Sequence, residues 1–97
     1  MGIEHLVLFK LKEGTTEEQI AELVAGLQTL ASLPGVEKIT AGKNFSERSK
    51  GFNFALRVTF SGRAALDAYL PHPDHVKVKD QFIVPITEDI LAVDYEF

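Results

Sequence analysis

The sequence predicts an α+β fold of the ferredoxin-like type, with the element order βαββαβ. Three observations predict it. Stretches in which every second residue is apolar, the period of a strand, occur at the start, in the middle and at the end of the chain. An amphipathic stretch follows the first strand, and a shorter apolar stretch follows the third. Right-handed crossovers then predict a four-stranded antiparallel sheet with both helices on one face and the first and third strands central.

The first strand and the first helix follow from a change in the apolar period. Alternation runs from Ile3 to Lys12, which predicts the strand. Apolar residues then recur at every third or fourth position from Ile20 to Ala31, which predicts an amphipathic helix that Pro34 and Gly35 end. Two alternative capping boxes stand at the start of this helix: Thr15 with Glu18, or Thr16 with Gln19.

The middle of the chain predicts two strands joined by a polar loop. Val36 to Gly42 forms the weaker second strand, and Lys43 to Gly51 forms the loop, whose Asn, Ser and Gly residues favour turns. Phe52 to Phe60 alternates apolar with polar residues and is richer in aromatic residues than any other segment. We therefore expect this third strand to be buried at the centre of the sheet.

Two helical segments and a final strand complete the chain. Ser61 is the predicted cap of a short helix that ends at Pro71-His72-Pro73, because proline disfavours helical geometry in the residue before it. A second helical segment is expected from Asp74 to about Ile83, with Asp74 as a cap or a partner of the helix dipole. Alternation from Ile90 to Phe97 predicts the last strand.

The face of the sheet that points away from the helices is expected to carry apolar side chains and to need a partner. These side chains are predicted to be Leu6, Leu8, Ile39, Ala55, Ile90 and Ala92. Charged residues are expected at the rim of the face: Lys10, Lys12, Arg57, Asp94 and Glu96. We expect a second copy of the chain to cover this face, so that two sheets stack in an isologous homodimer.

Composition excludes several classes of function. The 97 residues match the size of one domain, spanning residues 1–97. The chain has no Cys, which excludes disulfides and cysteine nucleophiles and is typical of a cytoplasmic protein. Ten Lys and Arg residues stand against 14 Asp and Glu, so a net charge of -4 offers no basic field for nucleic acid. No apolar run approaches the ~20 residues of a membrane span, so no membrane partner is expected.

Three histidines and a tyrosine are expected to converge at one edge of the sheet. The second helix runs antiparallel to the third strand, so its end returns toward the start of the first strand. This topology brings Tyr69, His72 and His75 near His5, which shares the helix-facing side of its strand with Val7. The apolar wall around them is expected to come from four residues: Phe9, Phe52, Phe54 and Leu70.

The run from Tyr69 to Val76, with the pattern Tyr-x-x-His-Pro-x-His, is the most specific motif of the chain. Shorter motifs are His5 to Lys10, Gly42 to Asn44, Gly51-Phe52 and Asp94-Tyr95. Together they span almost the whole chain and resemble the stress-responsive dimeric α/β-barrel domain proteins. The resemblance implies the ferredoxin-like fold and a homodimer whose two sheets form the barrel.

Within that family the chain is similar to plant polyketide cyclases, and this resemblance implies roles for its histidines and tyrosine. His75 would be the base, Tyr69 would polarise a carbonyl group, and His5 would line the pocket. His72 is a further candidate for the pocket lining, because the topology brings it to the same edge. An imidazole with a pKa of about 6.5 and a phenol can remove a proton beside a carbonyl and donate to the developing oxyanion. No cofactor is then required, and the expected ligand is a small apolar carbonyl compound.

Two functional interpretations stay open. The first is a stress-responsive α/β-barrel protein of unassigned activity that binds a small ligand in a His- and Tyr-lined pocket. The second is a cofactor-independent cyclase or lyase that performs an intramolecular aldol condensation. A closed, ligand-sized apolar cavity at Tyr69 and His75 would favour an enzyme or a carrier over a packed structural domain.

The candidate residues also have structural interpretations. His5 can be a hydrogen-bonded core residue, and Tyr69 can be a core aromatic whose hydroxyl finds a backbone partner. His72 can fix the turn between two prolines. A metal site of histidines and Asp74 is not expected, because Pro73 restricts the neighbouring rings. Three lysines are interpreted as solvated charges rather than as an anion site: Lys10, Lys77 and Lys79.

Overall fold

A computed structural model describes all 97 residues and has the predicted order of elements. The strands are β1 (Ile3–Leu11), β2 (Val36–Lys43), β3 (Phe54–Phe60) and β4 (Thr87–Glu96). The helices are α1 (Glu17–Gln28), α2 (Arg63–Tyr69) and α3 (Pro73–Val78). All strand pairs are antiparallel in the order β2-β3-β1-β4, which confirms the ferredoxin-like fold and the central position of the first and third strands.

The start of α1 is fixed by one of the two alternative capping boxes. The backbone N–H of Gln19 donates to the Thr16 hydroxyl at 3.1 Å, and the Gln19 side chain accepts from the Thr16 N–H at 2.9 Å. Each bond satisfies an amide that the first helical turn would leave without a partner. After α1 the chain tightens into a 3₁₀ turn, Thr29–Ser32, before Gly35 leads into β2.

The start of α2 corrects the predicted cap. Gly62, and not Ser61, is the N-cap residue, and no side chain caps this helix. Ser61 is still held by the turn that precedes β2, because its backbone N–H donates to the carbonyl of Gly35 at 3.0 Å. The helix therefore begins one residue later than a Ser61 cap requires.

The predicted helical segment after Pro71 consists of three parts. The α-helix α3 is followed by a π-helical turn, Lys79–Ile83, and by a 3₁₀ turn, Val84–Ile86. Pro73 occupies the first turn of α3, a position where its missing N–H costs nothing. The wider π turn is a change of helical pitch that apolar spacing does not predict.

Strand register decides which side chains face the helices, because residues directly opposite each other share a face of the sheet. His5 lies opposite Val58 and Asp94, and Val7 lies opposite Leu56 and Ala92. These residues share the helix side with the core, in which the most fully buried side chains are Phe9, Phe54, Phe60, Leu23, Leu27, Leu30 and Val58.

The opposite side of the sheet, here called the outer face, differs in part from the prediction. Its residues are Glu4, Leu6, Leu8, Ala55, Arg57, Leu91, Val93 and Tyr95. The predicted members Leu6, Leu8 and Ala55 lie there. The placement of Ile39, Ile90 and Ala92 was wrong, because they pair with helix-side residues Val58, Phe9 and Val7.

Three charged residues also depart from their predicted positions at the rim. Asp94 and Glu96 lie on the helix side, opposite His5 and Ile3. Arg57 lies on a central strand, where it and the Thr59 hydroxyl donate to the buried carboxylate of Glu4. These bonds, from Thr59 and then from Arg57, hold the pKa of Glu4 below its usual value.

None of the helices combines the length and the apolar character that crossing a lipid bilayer requires.

Candidate functional site

A cavity of about 180 Å³ lies between the sheet and the helical segments, at the edge where the histidines were expected. His5 on β1, Tyr69 at the end of α2 and His75 on α3 line it. The remaining lining is mostly apolar: Val7, Phe9, Leu27, Leu56, Leu70, Lys79, Ile83, Ile90 and Ala92. The cavity is small, since ligand pockets usually measure about 300–1,000 Å³.

Tyr69 lies between the two imidazoles. Its ring centroid is 4.5 Å from that of His75 and 6.2 Å from that of His5. It also packs edge-on against Phe60, at a centroid distance of 4.9 Å. These contacts hold the phenol in the orientation in which it reaches the cavity.

The Tyr69 hydroxyl is a buried donor without a partner. The residue is only 2% exposed, and its oxygen makes no hydrogen bond. Burial raises the pKa of Tyr69 to about 12, because the anionic form would be poorly solvated. The phenol is therefore protonated near neutral pH and can donate a hydrogen bond to a ligand oxygen.

His75 presents a free ring nitrogen. Its Nδ1 lies 2.9 Å from the carbonyl oxygen of Leu70, and since a carbonyl can only accept, Nδ1 carries the proton. The lone pair of Nε2 is then available in the neutral ring. Burial lowers the pKa of His75 below its usual 6.5; the Leu70 bond opposes this shift, and positive charge on His5, Lys79 and His72 adds to it. The neutral form, which can act as a base, is favoured at neutral pH.

His5 is paired with Asp94, a residue that was predicted to lie at the rim of the sheet and not in the site. The His5 side chain is 6% exposed, and its Nδ1 is hydrogen-bonded to an Asp94 carboxylate oxygen. The bond fixes the ring and leaves Nε2 free on its other side. The register of β4 against β1 is the signal that identifies this pair, because it aligns the two residues.

Three residues of the predicted site lie outside the cavity lining. His72 is the N-cap residue of α3, where its Nδ1 accepts from the Asp74 N–H at 3.1 Å. It thereby takes the capping role that Asp74 was expected to fill. Phe54 is fully buried in the core beside Phe9, its cross-strand neighbour, with ring centroids 5.7 Å apart. Phe52 precedes β3 and lies under the Lys10 ammonium, which is 5.4 Å from its ring centroid.

A larger open groove of about 520 Å³ runs between α1 and α3. It is lined mostly by polar residues, together with Ala25, Val78 and Phe82, which packs against Gly26, and it contains no histidine or tyrosine. The convergence of unpartnered donor and acceptor groups, not volume, identifies the smaller cavity as the candidate site. No group of three or more His, Asp or Glu side chains is arranged to hold a metal ion.

Comparisons with known proteins agree with this fold. The family model of the stress responsive A/B barrel domain matches residues 3–97. A stress-response A/B barrel domain-containing protein of Arabidopsis thaliana is 35% identical over 94 residues, which are 96% of this chain and 36% of the plant protein. Olivetolic acid cyclase of Cannabis sativa is 29% identical over 98% of this chain and 96% of the cyclase. The chain thus spans little more than a third of the Arabidopsis protein but matches almost the full length of the cyclase.

A solved structure extends the comparison to assembly. The crystal structure of a dimeric ferredoxin-like protein of unknown function from a Jannaschia species is similar with a TM-score of 0.85 and 32% sequence identity. The match covers 100% of both chains.

Proposed function

The chain belongs to the stress responsive A/B barrel domain family, and from this membership and the site geometry we propose that it binds a small apolar carbonyl compound and removes a proton from it without a cofactor. One observation carries the proposal. The unpartnered Tyr69 hydroxyl and the free Nε2 of His75 belong to rings 4.5 Å apart that line the same cavity. A donor and a base so close together suit one carbonyl group and its neighbouring carbon.

The proposed step divides between the two residues. Nε2 of His75 takes a proton from the carbon beside the carbonyl, and that C–H electron pair becomes the enolate. The Tyr69 hydroxyl donates to the enolate oxygen as negative charge develops there. In the bond-forming step of an intramolecular aldol condensation, the enolate carbon then attacks a second carbonyl of the same molecule, and protonated His75 returns its proton to the resulting alkoxide. Loss of that hydroxyl group, together with a second proton from the attacking carbon, releases water and completes the condensation. The similarity to olivetolic acid cyclase supports this cyclase version.

Binding without chemistry is a second candidate. Nine of the 12 lining residues are hydrophobic, a composition that suits a carrier as well as an enzyme. The two candidates share the ligand and differ only in turnover.

Titration with 2-hexanone tests the shared part of the proposal. We expect the ketone to perturb the NMR signals of Tyr69 and the His75 imidazole, and the Tyr69→Phe variant to bind it more weakly. Replacing His72 with Asn, which retains a capping side chain outside the cavity, should leave binding unchanged. Saturable binding that perturbs only residues of the larger groove, or no binding, would contradict the proposal.

We also propose that the outer face packs against the same face of a second copy. Leu91, Val93 and Tyr95 are each nearly half exposed and adjoin Leu6 and Leu8 across the β1–β4 pair. The dimeric Jannaschia protein has the same fold over its full length. Sheet stacking would remove this apolar strip from water. A cytoplasmic location remains a prediction from the sequence.

A further inference from the structure

The charged groups that line the cavity carry only one sign. Among its 12 lining residues there is no Asp or Glu, whereas Lys79 and two histidines are present. Asp94 is bonded to His5 but does not line the cavity itself. Lys79 is therefore the one lining residue with a permanent charge, and its positive charge favours an anionic group on the ligand; the Asp94 carboxylate, one hydrogen bond away on His5, opposes this in part.

The helix geometry accounts for the position of Lys79. It follows His75 by four residues, which places both side chains on the same face one turn apart. The α-helix ends at Val78, which is buried, and Lys79 is the first residue of the π turn. Lys79 is exposed, as the sequence predicts for a solvated charge, and it also contributes to the lining of the cavity.

The Lys79 ammonium has no carboxylate within 4.0 Å. The structure contains four pairs between side chains of opposite charge, and they use His5, Lys43, Arg57 and Arg63 as the basic partners. An exposed ammonium group without a carboxylate partner, on a residue that lines an apolar cavity, can bind a ligand anion without first giving up a bond to the protein.

We propose that the ligand is a short oxo acid, whose carboxylate binds Lys79 while its carbonyl group lies between Tyr69 and His75. One fixed positive charge matches one carboxylate, and the apolar wall accommodates the carbon chain between the two groups. The proposal rests on the proposed function, because it uses the same cavity and the same carbonyl position. It adds two statements to the proposed function: the ligand carries a negative charge, and Lys79 selects for that charge.

The test compares 5-oxohexanoate with its neutral isostere 5-oxohexanamide, with binding to the full chain followed by calorimetry and by the NMR signals of His75. We expect wild type to prefer the carboxylate by about three- to tenfold, the range for a partly exposed charge-assisted bond. Lys79→Met keeps an unbranched chain of similar length and should abolish the preference. Lys79→Arg keeps the charge and should retain it. Lys77→Met is the matched control, since Lys77 lines the other groove.

The outcomes separate this inference from the proposed function. If both compounds bind at His75 with equal affinity, or if the preference survives Lys79→Met, the inference is wrong while the carbonyl site stands. If neither compound perturbs His75 or Tyr69, both proposals fail. A preference that is lost in Lys79→Met alone and kept in Lys79→Arg and Lys77→Met supports the inference.

Discussion

Tyr69 and His75 differ in protonation state in the way that acid–base chemistry requires. Burial raises the pKa of Tyr69 to about 12 and lowers that of His75, so near neutral pH one ring is a donor and the other an acceptor. Desolvation thus shifts the two pKa values in opposite directions, since it always disfavours the charged form, which is the anion of Tyr69 and the cation of His75. Neither group needs a metal ion to reach its working state.

Replacing Tyr69 with Phe should separate activity from stability. The hydroxyl has no partner in the folded chain, so its removal is expected to leave the free energy of unfolding unchanged or to raise it by up to about 1 kcal/mol. The rate of proton removal from a bound ketone should fall by about 10²–10³-fold, as for the loss of one oxyanion donor. Urea unfolding and the rate of proton exchange check the two parts.

Tyr95→Phe provides the matched control, because Tyr95 is half exposed on the outer face. Removing its hydroxyl should change neither quantity. A loss of more than about 1 kcal/mol of stability in Tyr69→Phe would mean that the hydroxyl has a structural partner.

The pairing of His5 with Asp94 illustrates what a sequence shows about single residues and what it does not. His5, Tyr69 and His75 were predicted to converge, because helix direction alone brings them together. Asp94 was missed because its contact depends on the register of β4. Lys79 is exposed as predicted, but its place in the cavity lining was not predicted, because only the fold brings it beside Tyr69 and His75.

At the scale of elements, the turn between α1 and β2 holds α2 against the sheet. Gly35 has a positive φ of 83°, and a Cβ added to it would clash with the Cβ of Ala65 on α2. Its carbonyl also accepts from the N–H of Ser61, just before that helix. Glycine is therefore required here both by backbone conformation and by close approach. The position matters for the site, because α2 carries Tyr69.

Replacing Gly35 with Ala should destabilise the chain more than the same change at Gly14. Gly14 has a φ of 85°, but no atom lies within 4 Å of the position that its Cβ would take, so Ala there incurs only the backbone cost of about 1–2 kcal/mol. The contact with Ala65 should add about 1–3 kcal/mol at Gly35. Urea denaturation of the two variants measures the difference. Equal losses of unfolding free energy in the two variants would show that α2 moves away from the added methyl group without an energetic cost.

The elements themselves were predicted to within a few residues, but the phase of β4 was not. Both alternating sets of its residues are apolar, Ile90 and Ala92 on one side and Leu91 and Val93 on the other. Periodicity cannot choose between two such sets, and the choice is made by hydrogen bonding to β1. The π turn after α3 was not predicted either, because a change of helical pitch leaves no signal in the amino-acid composition.

At the scale of the whole molecule, a second sheet could cover the outer face without leaving a buried charge unpaired. Its one buried carboxylate, Glu4, already accepts hydrogen bonds from Thr59 and Arg57. Burying this face would therefore not leave that charge without a partner, which is the costly case. The strip of half-exposed residues on β4 supplies the apolar area.

Replacing Val93 with Asp should convert a dimer to a monomer. The new carboxylate would lie within the covered apolar strip, where the cation of the same row, Arg57, is already bonded to Glu4, and its desolvation opposes association. Sedimentation of wild type should give twice the 10.7 kDa mass of the chain, and the variant should give the single mass. Val84→Asp, at a similarly exposed valine on the 3₁₀ turn, should remain dimeric. A monomeric wild type at micromolar concentration would contradict stacking through this face.

The most direct test of the acid–base account is the exchange of protons beside the carbonyl of 2-hexanone in deuterium oxide, followed by NMR as a function of pH. Wild type should accelerate exchange, and its rate should rise with pH through the pKa of His75, which lies below 6.5, and then level off, because only the neutral ring accepts a proton. His75→Ala should lower the exchange rate by about 10²–10⁴-fold and remove its rise with pH through the pKa of His75. Exchange that persists in His75→Ala with the same pH profile would contradict the account.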